Sequence, residues 1–141
     1  MGYLIENKPD QIVTAKVTIA SADLLTPGYI IDIPEFPAVK NYFWQVMSMN
    51  GYILNGFINY LGASVIHIQC STAADPQFRF GGGFMQSNVN TWGFANIITT
   101  TAIVNSQQFA DNGGLQIHNP GTLTVGDSDL DLYITAILIP L

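Results

Sequence analysis

Apolar side chains in this chain return at every second residue, and no segment carries the three-and-four spacing of an amphipathic helix. Successive side chains of an extended strand point to opposite faces, so this period encodes strands with two distinct sides. In residues 12–19 the set Val13, Ala15, Val17 and Ile19 opposes Thr14, Lys16 and Thr18. In residues 129–139 the set Leu130, Leu132, Ile134, Ala136 and Leu138 opposes Asp129, Asp131, Tyr133, Thr135, Ile137 and Ile139. Turn-forming residues punctuate the alternation at Pro27-Gly28, Asn50-Gly51, Asn55-Gly56, Asn112-Gly113-Gly114, Asn119-Pro120-Gly121 and Gly126-Asp127-Ser128. Roughly eight to ten short strands at such spacing predict an all-β, antiparallel β-sandwich, jelly-roll-like, with an open barrel as the alternative.

The predicted strands cover residues 12–19, 29–33, 38–49, 57–61, 64–70, 92–104, 115–117, 122–125 and 129–139, with short ones at Ile53 and at Phe78-Arg79-Phe80. One helical turn is expected at residues 21–25, and Pro34-Glu35-Phe36-Pro37 reads as a loop because two prolines remove donors a sheet needs. Asn50-Gly51 reads as a hairpin turn that ends the strand before it. Both faces of residues 38–49 are largely apolar, and the second face of the last strand passes from charged to apolar. Residues 135–141 are therefore expected to be covered on both sides, by a second sheet or a neighbouring subunit. Residues 1–10 have no period and read as an N-terminal arm, leaving 11–141 as a single β-sandwich domain. A chain of 141 residues buries about 70% of its unfolded surface, enough for one core without staples.

Charge is scarce. Between Asn41 and Ala110 the fully charged side chains are Asp75 and Arg79, and 10% of the whole chain is charged, against about one-quarter in ordinary soluble domains. A polar but uncharged surface loses little hydration when it meets another, which suits assembly. Ten acidic against four basic side chains give a net charge of -6, which opposes partners held through phosphates, so neither nucleic acid nor an anionic membrane is expected. The apolar runs fall far short of the roughly 20 residues that span a bilayer. The start, Met1-Gly2-Tyr3-Leu4-Ile5-Glu6, has neither the basic and apolar regions of an export signal nor the Ser or Thr that an acylated Gly2 requires.

Each reactive-looking group has a plainer reading. Asp127, Asp129 and Asp131 could collect a hard cation, but Leu132 follows where a calcium loop needs glycine, and no glutamate lies downstream; a solvated turn and strand edge is expected. His67 and His118 are the two histidines of the chain, too few for a multi-histidine zinc site, and His67 alternates with Ile66 and Ile68 on a strand. Cys70 reads as a buried thiol. Gly81-Gly82-Gly83 lacks the Lys and Ser/Thr of a phosphate loop, no serine sits in a Gly-x-Ser-x-Gly elbow, and no carboxylate pair is embedded among aromatics. No metal, no cofactor and no enzymatic activity are expected. Tyr42, Phe43, Trp44, Tyr52, Phe57 and Tyr60 form one aromatic group, and Phe78, Phe80, Phe84, Trp92 and Phe94 a second. Core and subunit contact account for both, with stacking against a host glycan as the rival reading.

Val17-Thr18-Ile19-Ala20-Ser21-Ala22-Asp23-Leu24-Leu25, with Pro27, Ile30 and the loop from Pro34 to Lys40, opens a pattern that Asn112-Gly113-Gly114-Leu115-Gln116-Ile117 and Gly121-Thr122-Leu123-Thr124-Val125-Gly126-Asp127 close. In these patches the chain resembles a family of small proteins encoded in tailed-bacteriophage and prophage structural modules. It departs from that family where Phe36-Pro37-Ala38-Val39 stands before Lys40 in place of a Gly-rich stretch. The resemblance implies a β-sandwich component of the virion, made in the host cytoplasm and displayed on the head as a decoration or head-fibre protein. A carbohydrate- or receptor-binding module of a tail or fibre tip is the alternative. With the low charge it leads to the expectation of a homotrimer joined through strand faces that include Tyr42, Trp44, Ile137 and Ile139. Tyr3, Leu4 and Ile5 of the arm would dock on capsid or other virion proteins.

Overall fold

The computed structural model describes residues 11–53, 56–62, 66–72, 76–80, 91–94, 96–97, 113–121 and 123–140. Among them, strands dominate: β1 (Gln11–Ile19), β2 (Tyr29–Asp32), β3 (Tyr42–Ile53), β4 (His67–Cys70), β5 (Pro76–Arg79), β6 (Thr91–Phe94), β7 (Asn96–Ile97), β8 (Leu115–Asn119) and β9 (Leu130–Pro140). One short helix, α1 (Ser21–Leu24), follows β1. No helix among the described residues is long and apolar enough to cross a membrane.

Two antiparallel sheets pack face to face, one ordered β1-β9-β3-β6 and the other β2-β8-β4-β5-β7. Read without β7, these are the two four-stranded layers of a jelly roll, in which the chain repeatedly changes sheets and the last strand returns between the first and third. β7 adds an edge strand to the second sheet. One core joins them: Trp44, Met49, Ile53, Leu132 and Ile134 from the first sheet meet Ile68, Phe78, Leu115 and Ile117 from the second, and Phe36 and Tyr60 enter from loops.

Local chemistry forms the elements it was expected to form at several places. In β9 every even-numbered residue from Leu130 to Leu138 is at most 1% exposed, while each odd-numbered one from Asp131 to Ile139 is half-buried. The Thr26-Pro27-Gly28-Tyr29 turn closes with Tyr29 N–H donating to the Thr26 carbonyl at 3.2 Å. Gly28 takes a φ of 73° there, the left-handed value that this turn requires after proline. Cys70 is buried, with its Sγ 3.5 Å from the Thr72 hydroxyl oxygen.

β3 departs from expectation. Residues 38–41 are loop, and Asn41 at φ 64° turns the chain into a strand that begins at Tyr42. Asn50-Gly51 is no hairpin: both residues lie inside β3, with Tyr133 and Leu132 on one side and Phe94 and Gly93 on the other. The register shifts between Val46 and Ser48, so one extra residue enters β3 there. This bulge inverts the parity of the strand. The core side is Trp44 and Val46 before it, and Met49, Gly51 and Ile53 after it. The strand looked apolar on both faces because one buried face changes from even to odd residues partway along.

Two further expectations fail for a related reason. Residues 57–61 form a loop with a single bridge, Leu61 to Val125, where a strand was expected; the latter residue is all that pairs in residues 122–125 among those described. Within residues 92–104 the described part belongs to two strands in different sheets, β6 and β7.

The turn at Asn119 is tied to α1 by a buried amide. Asn119 is 0% exposed; its Nδ2 donates to the Leu24 carbonyl at 2.8 Å and its Oδ1 accepts the Gly121 N–H at 3.1 Å. Asn119→Ala would strand both partners, and a loss of about 1–3 kcal/mol is expected in urea unfolding, against about 0.5 kcal/mol or less for an exposed site such as Thr124→Ala.

Candidate functional site

The sequence-predicted site residues do not share a surface. Trp44 is 4% exposed on the core side of β3, packed edge-on to Phe36 with ring centroids 5.2 Å apart, and its Nε1 donates to the Pro37 carbonyl at 2.7 Å. Tyr42 packs against the same core. Ile137 and Ile139 lie on the opposite, outer face of the sheet, beside their strand neighbours Ile12 and Phe43. Trp44 is thus a core residue, Tyr42 is half-buried on the same side of β3, and the two isoleucines are half-buried on the other side of the sheet. Tyr3, Leu4 and Ile5 lie outside the described residues, as do Gly81-Gly82-Gly83 and Phe84. Of the first aromatic group, Trp44 and Tyr60 are buried, Tyr42, Phe43 and Tyr52 half-buried and Phe57 exposed.

The outer face of the first sheet is graded along its length. Its rows run from Ile12–Ile137–Gln45 through Thr14–Thr135–Ser48 and Lys16–Tyr133–Asn50 to Thr18–Asp131–Tyr52. At the polar end the Asp131 carboxylate accepts the Thr18 hydroxyl at 2.6 Å and pairs with Lys16 Nζ at 3.1 Å. The Thr18 bond, seconded by Lys16, holds Asp131 below the usual carboxylate range.

The three alternate aspartates each serve a different connection. Asp131 bridges β1 and β9 as described. Asp129 Oδ1 accepts the Ser21 N–H at 2.9 Å, at the start of α1. Asp127 receives the Phe57 N–H on Oδ2 at 2.9 Å and the Ile58 N–H on Oδ1 at 3.1 Å, while Ser128 Oγ accepts the Gly56 N–H at 2.7 Å. A carboxylate fastens two main-chain donors well, since charge-assisted bonds exceed neutral ones in strength. No group of three potential metal ligands occurs among the described residues.

Tyr60 completes this corner. Its ring is 1% exposed, and its hydroxyl donates to the Ser128 carbonyl. Burial, with the Asp129 and Asp127 charges, pushes the phenol up to about 12, so it remains a donor at any physiological pH. Both glycines of the corner are sterically required: a Cβ on Gly56 would stand 2.0 Å from Asp127 Oδ1, and one on Gly126, at φ 143°, would stand 2.2 Å from Tyr60 Cδ1.

What this corner holds out is apolar. Phe57 is fully exposed, Ile58 53%, Leu61 59% and Val125 39%. Four large apolar side chains thus project from one end of the sandwich, on backbone clamped by Asp127, Ser128 and Tyr60. Asn55 of the expected Asn55-Gly56 hairpin lies outside the described residues, and sequence reading did not foresee that Gly56 to Ile58 would be fastened to Asp127 and Ser128. The carboxylate and the amides it fastens are 69 and 70 residues apart.

On the outer face of the second sheet His67 and His118 meet across β4 and β8. His67 Nε2 lies 3.0 Å from His118 Nδ1 and 3.1 Å from Gln69 Oε1, and the rings cross edge to face at 82°. A cleft of about 300 Å³ opens beside the proline loop, lined by Asp32, Pro34, Phe36, Pro37, Ser71 and Leu115. Its walls are mostly apolar side chains and main chain, and neither histidine reaches it.

No protein-family model matches the chain, and no curated protein shows significant similarity to it.

Proposed function

We propose that this chain is a non-enzymatic structural component of a tailed-phage virion, displayed on the head as a decoration or head-fibre protein and docked through the apolar end of its sandwich. The observation that carries the reading is that end: a fully exposed Phe57 beside Ile58, Leu61 and Val125, on a loop whose Phe57 and Ile58 amides are held by the Asp127 carboxylate and whose buried Tyr60 is bonded to the Ser128 carbonyl. Contiguous apolar surface on a soluble fold marks an interaction site, and clamping the loop in advance lowers the entropy lost on docking. The jelly roll supports the same reading, since it recurs in viral capsid and lectin domains, although a fold alone does not assign a function. The resemblance in residues 17–40 and 112–127 points the same way. Asp127, Asp129 and Asp131, weighed in the sequence as a cation site, each hold a loop or strand in place.

Particles assembled by a phage carrying this gene should contain the chain in fixed proportion to the major capsid protein. The double variant Phe57→Ser, Ile58→Ser should fold normally, with stability within about 1 kcal/mol of the parent because both side chains are exposed. Its amount on purified particles should fall about tenfold or more, as expected for removal of apolar anchors from an interface. Undiminished incorporation of a folded double variant would refute the docking surface. Absence of the parent chain from the particles would refute the virion assignment.

A further inference from the structure

The two histidines stand inside a row that crosses the second sheet: Ile30 on β2, His118 on β8, His67 on β4, Arg79 on β5 and Asn96 on β7. No carboxylate stands in this row. Asp32 belongs to the adjacent row, where its Oδ1 accepts the Gln116 Nε2 at 2.7 Å, with Gln69 on the far side of Gln116. Two ring nitrogens 3.0 Å apart can share only one proton between them. His67 Nε2 also faces Gln69 Oε1, an acceptor, so the network places the proton on His67 Nε2 and the lone pair on His118 Nδ1. His67 is 9% exposed, so water offers little relief if the bond fails.

We propose that His67 and His118 form a proton-operated latch across β4 and β8, closed when both rings are neutral and released on acidification. A proton added to His118 Nδ1 sets N–H against N–H. The pair can recover by moving the His67 proton to Nδ1, but His67 then loses its bond to Gln69. A second proton leaves two cations in contact beside Arg79, with no anion in the row. β4 and β8 are inner strands, so releasing this contact weakens the joint between the β2-β8 and the β4-β5-β7 parts of the sheet.

Burial, together with the His118 and Arg79 charges and against the Gln69 bond, holds His67 below the ordinary histidine value. The folded chain therefore binds fewer protons than the unfolded chain as pH falls below about 6.5, and folding weakens from there down to the lowered value. Above about 6.5 the contribution is complete. The interval is readable because the chain has two histidines and no other side-chain type ordinarily titrates between pH 5 and 8.

The test is urea unfolding of the full chain from pH 8 to pH 5. For the parent, the folding constant should be level down to about pH 6.5 and then fall by up to about tenfold per pH unit for each proton displaced. His67→Gln and His118→Gln should each flatten that fall. A parent that stays level to pH 5, or a folded His67→Gln variant with the parent's slope, would overturn the latch. Should either variant fail to fold, imidazole nitrogen NMR of the parent decides: His67 is expected as the Nε2–H tautomer at pH 7.5 and still mostly neutral at pH 6.5. An Nδ1–H tautomer, or half-protonation at or above pH 6.5, would overturn it equally.

Discussion

Trp44→Ala is expected to lower the unfolding free energy by about 3–5 kcal/mol, the range for deleting a large aromatic from a packed core. Three losses combine. The indole vacates space at 4% exposure, Phe36 loses its edge-to-face partner, and the Pro37 carbonyl loses the donor 2.7 Å away. The last two tie the proline loop to β3, so the loop should loosen with the core. Trp44→Phe separates these effects: it keeps an aromatic ring and loses the N–H, and about 1–2 kcal/mol is expected. Chemical unfolding monitored by circular dichroism gives both values. A Trp44→Ala protein with parental stability but altered subunit association would return Trp44 to the role of a surface contact and contradict its place in the core.

Gly126→Ala should cost roughly 2–4 kcal/mol, combining a steric overlap with a φ that L side chains resist. The new methyl would stand 2.2 Å from Tyr60 Cδ1, and at φ 143° the main chain cannot turn it away cheaply. Tyr60 would have to move, and with it the hydroxyl that bonds the Ser128 carbonyl. Ser128 and Asp127 hold the amides of Gly56, Phe57 and Ile58, so the effect should spread to the exposed end. Hydrogen exchange should report faster exchange at Phe57 and Ile58, together with the lower unfolding midpoint. Parental protection at those two amides in a destabilised Gly126→Ala protein would show that Asp127 holds the loop without help from Tyr60. For Gly28→Ala the added Cβ meets open space, leaving only the cost of its positive φ, so a smaller loss of about 1 kcal/mol is expected.

These two sites show where sequence reading stops. The alternation of Trp44 with Tyr42 and Val46 is visible in the chain, but whether that face is a core or an interface depends on what lies opposite. Opposite it lie Phe36 and the second sheet, brought there by loops whose paths no local pattern encodes. The Asn50-Gly51 pair misled because its preference for a hairpin turn amounts to a small local energy. Continuing β3 keeps Gly51 and Ile53 on the core side and paired with β9, which outweighs it. Likewise residues 57–61 have the composition of a strand. Asp127 captures the amides at Phe57 and Ile58 from the other end of the chain and fixes a loop instead.

The sequence by itself determined the strand class, the faces of β1 and β9, the Pro27-Gly28 turn and the shortage of charge, because each depends on residues within a few positions of one another. Only the tertiary structure decided the sheet order, the parity change at the β3 bulge, the apolar end and the meeting of His67 with His118. Those depend on contacts between residues tens of positions apart, and an alternating pattern states which side of a strand is apolar without stating what will cover it.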